Sequence, residues 1–207
     1  MKLGILSDIH GDFSALELAW AHLITMGVDR ILCAGDVVGY GPFPDRVVDF
    51  LKERGIPSVR GNHDRWALER GPGASCRFGG GTPSDESLEY LSGLPGDLVV
   101  EIGGKVVVVV HGSPRSDMEF VSRETHPPGV LDRYLRELDC EVLIVGHTHR
   151  PMSYRRPSGR LVLNPGSVIS APVVETSRSF AVLDMETAEV PHHRVEDGSP
   201  LVVAPWG

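Results

Sequence analysis

The stretch Gly146-His147-Thr148-His149 decides how the rest of this 207-residue chain is interpreted. The five residues before it, 141–145, form a mostly apolar run rich in β-branched residues, which is typical of a buried β-strand. Two imidazoles therefore stand at positions i and i+2, directly after the glycine that ends the predicted strand. On its own, such a pair is more often a polar turn than a metal site.

Four other hydrophobic runs end in the same way, each at a residue type that ligates metals. Residues 2–7 lead into Asp8-Ile9-His10, 31–35 into Asp36, 56–61 into Asn62-His63-Asp64, and 106–110 into His111. Ligands bind at the carboxyl ends of the strands in open α/β sheets. Together the five ends offer carboxylates, an amide oxygen and imidazoles but no thiolate, which predicts a site for a hard or borderline cation.

The order of the predicted elements indicates an α/β fold of two packed sheets with helices outside. It begins as βαβαβ, which predicts parallel neighbouring strands. The predicted strands lie at 2–7, 30–34, 56–60, 151–155, 160–163, 179–184 and 189–195, with a hairpin of 98–102 and 105–110. The predicted helices are one opened by Ser14 in a capping box with Glu17, one at 45–54, one from Thr82 and Pro83 to Leu91, and one marked by Val130, Leu131, Tyr134, Leu135 and Leu138. Residues 71–82 are predicted to form a loop. We expect residues 1–207 to form one domain, with the apolar tail 200–206 packed on that domain or in a dimer contact.

The composition excludes several classes of function. The formal net charge of −8 argues against a general nucleic-acid or anionic-membrane surface. No apolar run approaches the roughly 18 residues that a membrane helix needs, and the first one is interrupted at Asp8, too early for a signal peptide. The three cysteines are widely spaced and form no CxxC pair, which predicts a reduced, cytoplasmic protein.

Taken in order, the motifs Asp8-x-His10, Gly35-Asp36, Gly61-Asn62-His63-Asp64, His111 and Gly146-His147-x-His149 resemble those of the calcineurin-like metallophosphoesterase superfamily. Residues 36–42 and the stretch Asn164-Pro165-Gly166-Ser167-Val168 are similar to its small bacterial and archaeal phosphodiesterase branch. The resemblance implies a four-layer α/β/β/α sandwich of two mixed sheets, with two metal ions between the loop ends.

The resemblance also implies a role for each residue at those motifs. Asp8, His10 and His149 correspond to the ligands of a first metal, Asn62, His111 and His147 to those of a second, and Asp36 to the residue that bridges both. His63 matches the catalytic position that binds the scissile phosphate or protonates the leaving group. The implied cofactors are two divalent ions, Mn²⁺ first, with Fe²⁺, Zn²⁺ or Ni²⁺ as alternatives.

The expected activity is hydrolysis of phosphate diesters by a hydroxide that bridges the two ions. Two divalent ions carry four positive charges, and Asp8, Asp36 and that hydroxide carry three negative ones. The one net positive charge that remains attracts a phosphate. The expected partner is a small phosphate ester, including nucleotides, and a homo-oligomer is left open. The alternatives are a phosphomonoesterase, a dinucleoside polyphosphate hydrolase, or a protein-binding scaffold similar to the retromer subunit with this fold. Gly39 and Tyr40 stand where phosphoprotein phosphatases carry aspartate and arginine, which argues against that activity.

Other polar residues near these motifs have simpler interpretations. Asp64 is expected to support a ligand or cap a helix, and His22, His192 and His193 to lie on the surface. His126 is left open because its loop follows His111 and could overhang the pocket. Arg65, Arg123 and Arg150 are more easily explained as solvated side chains than as phosphate clamps.

The amide and basic residues give a prediction about heat stability. The chain has no glutamine, only two asparagines and 17 arginines among its 20 basic residues. Few thermolabile amides are typical of heat-adapted proteins. We expect the metal-loaded protein to unfold in calorimetry with a midpoint above about 65 °C, beyond the mesophilic range. A midpoint of about 50 °C would leave a GC-rich genome as the explanation of the arginines.

Overall fold

Two five-stranded sheets form the centre of the computed structural model, which describes residues 1–169, 177–204 and 206. Within this part of the chain the strands are β1 (Lys2–Leu6), β2 (Arg30–Cys33), β3 (Asp97–Ile102), β4 (Lys105–Val110), β5 (Val142–Ile144), β6 (Met152–Arg155), β7 (Leu161–Asn164), β8 (Ser179–Asp184), β9 (His192–Arg194) and β10 (Pro200–Leu201). The α-helices are α1 (Phe13–Thr25), α2 (Pro44–Glu53), α3 (Asn62–Arg70), α4 (Asp85–Gly93) and α5 (Pro128–Glu137).

Both sheets are mixed, as predicted. The first has the order β10-β9-β8-β1-β2, in which β1 is parallel to β2 and antiparallel to β8. The second has the order β3-β4-β5-β7-β6, with β4, β5 and β7 parallel and antiparallel strands at its edges. The carboxyl ends of β1 and β2 thus lie at one edge, and those of β4 and β5 likewise lie together.

Three hydrophobic clusters separate the layers. Between the sheets, Leu3 and Ile5 of β1 pack with Val107 and Val109 of β4. The outer face of the first sheet packs against α1 and α2, and that of the second against α5. Strands buried on both faces read as continuous apolar runs, which is why these strands were recognisable in the sequence. The structure confirms the predicted α/β/β/α sandwich.

Two predicted helix starts are wrong by about two residues. Helix α1 is capped by Asp12, whose carboxylate accepts a hydrogen bond from the Ala15 amide at 3.0 Å, and not by Ser14. Helix α4 is capped by Ser84 and not by Thr82. Asp45 of α2 accepts hydrogen bonds from the Ser84 amide and the Ser87 hydroxyl, at 2.8 and 2.6 Å. This contact between helices fixes where α4 begins, and local sequence does not reveal it.

The predicted third strand at 56–60 is wrong apart from one bridge. Only Ser58 pairs with Cys33, because the Arg60 amide turns away to the carbonyl of Pro95 at 2.7 Å. Helix α3 then begins at Asn62, where the sequence predicted a strand ending in a ligand loop. Its nine residues are too short and too polar for an apolar helical pattern to stand out.

The described C-terminal residues pack against the two sheets. Strand β10 pairs with β9 at the edge of the first sheet, and Trp206 forms a bridge with Tyr154 of β6. The predicted strand at 189–195 shortens to His192–Arg194. Within residues 1–169, 177–204 and 206, no helix has both the length and the apolar character required to cross a membrane.

Candidate metal centre

The seven predicted metal ligands come together at the shared edge of the two sheets. Asp8 and His10 follow β1, Asp36 follows β2, Asn62 begins α3, His111 follows β4, and His147 and His149 follow β5. All seven are buried. The candidate ligands identified in the sequence therefore lie together, although they come from five separate segments of the chain.

One group of ligand atoms is formed by Asp8, His10 and His149. The Nε2 atoms of the two histidines lie 3.1 Å apart, and Oδ1 of Asp8 lies 3.2 Å from Nε2 of His149 and 3.7 Å from Nε2 of His10. Ligands bound to one ion at about 2.0–2.2 Å in a tetrahedral arrangement are separated by roughly 3–3.5 Å. The three atoms therefore have the spacing of a metal site.

A second group of ligand atoms is formed around His111. Its Nε2 lies 2.9 Å from Oδ1 of Asn62 and 3.3 Å from Oδ2 of Asp36. A ring nitrogen of His147 lies within 4.8 Å of the ligand atoms of Asp36 and His111. The same Oδ2 of Asp36 is 3.6 Å from Nε2 of His10 in the first group. Asp36 therefore stands between the two groups, as a bridging carboxylate would.

Unpartnered polar atoms indicate that these groups suit a cation. Among the described residues, six buried side-chain nitrogen or oxygen atoms have no hydrogen-bond partner. Five of them belong to Asp8, His10, His63, His147 and His149. A buried polar atom without a partner costs about 1–3 kcal/mol, so their concentration at one place is unfavourable for the metal-free chain. Metal ions would satisfy Oδ1 of Asp8 and Nε2 of His147.

The backbone of the site is strained. Eight non-glycine residues in the described part of the chain have positive φ, and five of them are the predicted ligands Asp8, His10, Asp36, His147 and His149. Left-handed conformations cost about 1–3 kcal/mol each for such residues and are concentrated at functional sites. The fold therefore maintains these side chains in unfavourable backbone conformations that turn them toward one centre.

The glycines that precede the ligands leave space for ligands from neighbouring segments. A Cβ atom on Gly61 would overlap Oδ1 of Asp36, and one on Gly146 would overlap Oγ of Ser7 and approach Oδ2 of Asp8 to 3.0 Å. The motifs Gly-Asn-His-Asp and Gly-His-x-His thus begin with glycine because a polar side chain of another segment occupies the position of the Cβ atom, the carboxylate of Asp36 at Gly61 and the hydroxyl of Ser7 at Gly146.

The buried carboxylates and imidazoles of the site shift one another's pKa values. Burial raises the pKa of Asp8, but His149 and His111 outweigh it and lower the pKa to about 2. Burial also opposes ionisation of Asp36, but His111 holds the pKa of that carboxyl well below its usual range. Burial likewise opposes protonation of His111, but Asp36 outweighs it and raises the pKa of that imidazole to about 10. Burial lowers the pKa of His10 to about 3, so its ring is neutral and suited to ligation.

Several residues without an expected role as ligands fix the orientation of the ligands. The Ser7 hydroxyl donates to Oδ2 of Asp8 at 2.6 Å, and Nδ1 of His111 donates to the Ala34 carbonyl at 2.7 Å, which directs Nε2 toward the centre. The Asn164 side-chain amide donates to the Gly146 carbonyl at 2.7 Å and supports the loop of His147 and His149. Sequence reasoning assigned Asn164 no such role, although its rarity as an asparagine was the available signal.

Asp64 joins two of the ligand segments, in agreement with the predicted supporting or capping role. Its carboxylate accepts the Gly61 amide at 2.9 Å, which caps α3, and the Val38 amide at 3.0 Å, two residues after Asp36. Burial and the nearby Asp36 raise the pKa of Asp64 to about 7, while the two amide donors oppose that rise. Asp64 thus holds Asn62 and Asp36 in register with each other.

We expect Asp64→Ala to weaken metal binding about 10–100-fold, the usual effect of removing a residue that orients ligands. It should also lower the free energy of unfolding by about 1–3 kcal/mol, since two buried amides lose their acceptor. Asp64→Asn keeps one carbonyl oxygen and should lose less of both. Chelator competition and denaturant unfolding measure the two effects. Unchanged metal affinity in an Asp64→Ala protein that is less stable would show that Asp64 supports the helix alone.

His63 lies beside the predicted ligands without belonging to either group assigned from the resemblance. Its ring centroid is 4.5 Å from that of His10, and a ring nitrogen of His63 is within 4.8 Å of the ligand atoms of His10 and Asp36. Its backbone amide donates to Oδ1 of Asp36 at 2.7 Å. Burial lowers the pKa of His63, and the carboxylates of Asp36 and Asp8 oppose that shift. These positions leave ligation and proton donation both geometrically accessible to His63.

The remaining polar residues lie away from the centre or have other partners. Arg65 binds Asp117 and Glu69, at 2.7 and 2.8 Å. His126 is buried in a network with Glu119 and Tyr134. Arg150 is exposed, and Arg123 donates to the carbonyl of Ala204.

The prediction that three histidines lie on the surface is wrong for His192. That side chain is buried and bonds to the Asn164 carbonyl at 2.8 Å. His22 and His193 are half-buried and stack on Phe180. Adjacent histidines at the end of a chain gave no sign of this packing.

A two-sheet α/β sandwich whose loop ends gather carboxylate, amide and imidazole ligands defines a class of metal-binding proteins. Residues 1–188 match the calcineurin-like phosphoesterase superfamily domain, and the chain belongs to that superfamily. It is therefore a metal-dependent phosphoesterase with a metallophosphoesterase fold.

Individual relatives agree with this membership. A probable metallophosphoesterase of Methanothermobacter thermautotrophicus is 28% identical, over 97% of this chain and 95% of its own. The crystal structure of a metallophosphoesterase from Sphaerobacter thermophilus is 28% identical with a TM-score of 0.76, covering 95% of this chain and 88% of its own. A hypothetical protein from Pyrococcus horikoshii has a TM-score of 0.77 at 25% identity, over 94% and 88% of the two chains.

Proposed function

We propose that the protein is a phosphodiesterase with two divalent metal ions, Mn²⁺ being the first candidate. The observation that carries the proposal is the pair of ligand groups that share Asp36, with His63 beside His10 and Asp36. Asp8, His10 and His149 would hold one ion, and Asn62, His111 and His147 the other. When bound, two divalent ions would supply four positive charges and lower the pKa of the attacking water, so that it is present as hydroxide. The carboxylates of Asp8 and Asp36 and that hydroxide carry three negative charges, so about one positive charge would remain.

That residual charge favours a diester over a monoester. A phosphodiester carries one negative charge, whereas a phosphate monoester carries about 1.5 to 2 near neutral pH. Binding the second charge would call for an additional cation in the site. The nearest arginine in sequence to His63 is Arg65, and it is ion-paired with Asp117 and Glu69. The charge of the site thus matches a diester.

Position 39 gives a second reason against phosphoprotein phosphatase activity. A Cβ atom on Gly39 would overlap Nδ1 of His10 and approach Nδ1 of His63 to 2.9 Å. An aspartate at this position, as in phosphoprotein phosphatases, therefore has no space here. Tyr40 follows, and its ring lies 4.6 Å from that of His10.

The proposal is tested by comparing two nitrophenyl substrates on protein freed of metal and reloaded with Mn²⁺. We expect a higher kcat/KM on bis(p-nitrophenyl) phosphate than on p-nitrophenyl phosphate, and no turnover after chelation. The reverse preference would identify a phosphomonoesterase. If diadenosine tetraphosphate is cleaved faster than both nitrophenyl substrates, the protein is a dinucleoside polyphosphate hydrolase. Absence of turnover with Mn²⁺, Fe²⁺, Zn²⁺ and Ni²⁺ would favour the protein-binding scaffold.

A further inference from the structure

Three aromatic rings gather beside His63. The rings of Tyr40 and Trp66 each lie 4.8 Å from that of His63, and Phe78 stacks on Tyr40 at 5.6 Å with an angle of 24°. We call Tyr40, Trp66 and Phe78 the aromatic platform. It lies next to the residue that would meet the leaving group, so that a group attached to the phosphate can reach it.

Phe78 is in an unfavourable position for a residue with only a structural role. Its side chain is 62% exposed, and its backbone is left-handed, with φ of 65° and ψ of 28°. An exposed phenylalanine gains little free energy from burial, and the left-handed region disfavours any non-glycine residue. Burial and backbone preference therefore do not account for this conformation of Phe78, and the exposed part of its ring is available to a ligand.

The loop that carries Phe78 is attached to the site at its base. The Cys76 amide donates to the Gly81 carbonyl at 2.9 Å, and the Gly81 amide donates to the Gly41 carbonyl at 3.0 Å. A Cβ atom on Gly80 would overlap the carbonyl oxygen of Gly39, so this loop lies directly on the segment that precedes Tyr40. The backbone contacts of Gly80 and Gly81 with Gly39 and Gly41 thus bring Phe78 onto Tyr40.

Two further features suit a planar ligand. The Arg77 guanidinium lies 4.6 Å from the Trp66 ring and 5.2 Å from the Phe78 ring, which places a positive charge on the platform. Among the described residues, a groove of about 390 Å³ is lined by the rings of Tyr40, Phe43 and Phe78, with Asp12 and Arg178 also in its lining. That volume lies in the range of small-molecule sites, about 300–1,000 Å³.

We propose, on the basis of the proposed function, that the aromatic platform binds the base of a nucleoside phosphate ester whose phosphate lies beside His63. Aromatic side chains stack on every base because each base has a π-face, and the guanidinium of Arg77 offers a cation–π contact to the same base. The base contacts Phe78 and Tyr40, while the sugar spans the distance to His63. The platform thus selects nucleoside esters over esters of the sugar alone.

The test compares binding of two methylphosphinates to the Mn²⁺-loaded protein by calorimetry. One carries the 5′ group of adenosine and the other that of ribose. Carbon replaces both bridging ester oxygens, so each ligand has one negative charge, as a diester has, and neither is hydrolysed. The adenosine ligand should bind about tenfold more tightly, the usual effect of stacking one base. Phe78→Leu, which keeps an apolar side chain, should remove most of that difference, and Phe78→Tyr should keep it. Affinity for the ribose ligand should be the same in all three proteins.

Val99→Ala is the matched control, because Val99 is also an exposed apolar residue, at 60%, but lies on the edge strand β3. It should leave both affinities unchanged. Equal affinities of the wild-type protein for the two ligands, or an undiminished difference in Phe78→Leu, would overturn the platform. Hydrolysis of bis(p-nitrophenyl) phosphate would then still support the proposed function. A preference for the adenosine ligand in a protein that cleaves no ester would overturn the proposed function alone.

Discussion

Asp36→Ala is expected to lose both metal ions and essentially all hydrolysis. Oδ2 of Asp36 lies 3.6 Å from Nε2 of His10 and 3.3 Å from Nε2 of His111, so one side chain serves both ligand groups. Its removal takes a negative charge from each group and leaves His111 without the carboxylate beside it. Elemental analysis after gel filtration should find less than one metal per chain, in contrast to two for the wild-type protein.

Two controls separate the charge of Asp36 from its role in folding. In the wild-type protein, Oδ1 of Asp36 accepts a hydrogen bond from the His63 backbone amide at 2.7 Å. Asp36→Asn keeps an oxygen that can accept this hydrogen bond but removes the negative charge. It should fold as the wild type does and still lose metal. Asp49→Ala makes the same change as Asp36→Ala on an exposed aspartate of α2 and should retain both ions. Two metals per chain in a folded Asp36→Ala protein would disprove the bridging role.

His63→Ala is expected to keep both ions and to lose about 10²–10⁴-fold in rate on an alkyl or ribose diester, the usual contribution of general acid catalysis. The alkoxide of such a diester needs a proton as it leaves. A nitrophenolate hardly needs one, so the loss on bis(p-nitrophenyl) phosphate should be much smaller. Steady-state rates on the two diesters, with metal content measured on the same samples, give both quantities.

The pattern of losses decides what His63 does. Equal losses on both diesters would mean that His63 binds phosphate and does not donate a proton. Loss of metal would mean that His63 is a ligand, and its approach to the ligand atoms of His10 and Asp36 makes this a real alternative. His22→Ala is the matched control, because His22 is half-buried on α1 and stacks on Phe180. It should change neither metal content nor the two rates.

The sequence by itself predicted the layers of the fold and the members of the candidate site. Strands such as β1 and β4 are buried on both faces, so they appear as uninterrupted apolar runs that need no tertiary information. Polar residues of ligand type at the ends of such runs are unusual, and parallel strands bring their carboxyl ends to one edge. Asp8, Asp36 and His111 were therefore recognisable because local pattern and topology point to the same place.

Only the tertiary structure decided which residues support that site. Helix α3 begins at Asn62 because Asp64 caps it and also binds the Val38 amide, a contact between segments 26 residues apart. Asn164 and the buried His192 support the loop of His147 through hydrogen bonds that no periodic pattern encodes. Hydrophobic periodicity reports which face of an element is buried, but hydrogen-bond partners distant in sequence depend on how the elements pack.

The aromatic platform shows the same division. Residues 71–82 are rich in glycine, and in the sequence they predict only a loop. Their glycines allow this loop to lie directly on Gly39 and Gly41, and that contact brings Phe78 onto Tyr40. Close backbone approach between two loops leaves no local signal, because it depends on the absence of side chains at both surfaces. The sequence thus determined the chemistry of the centre, and the packing of loops determined what surrounds it.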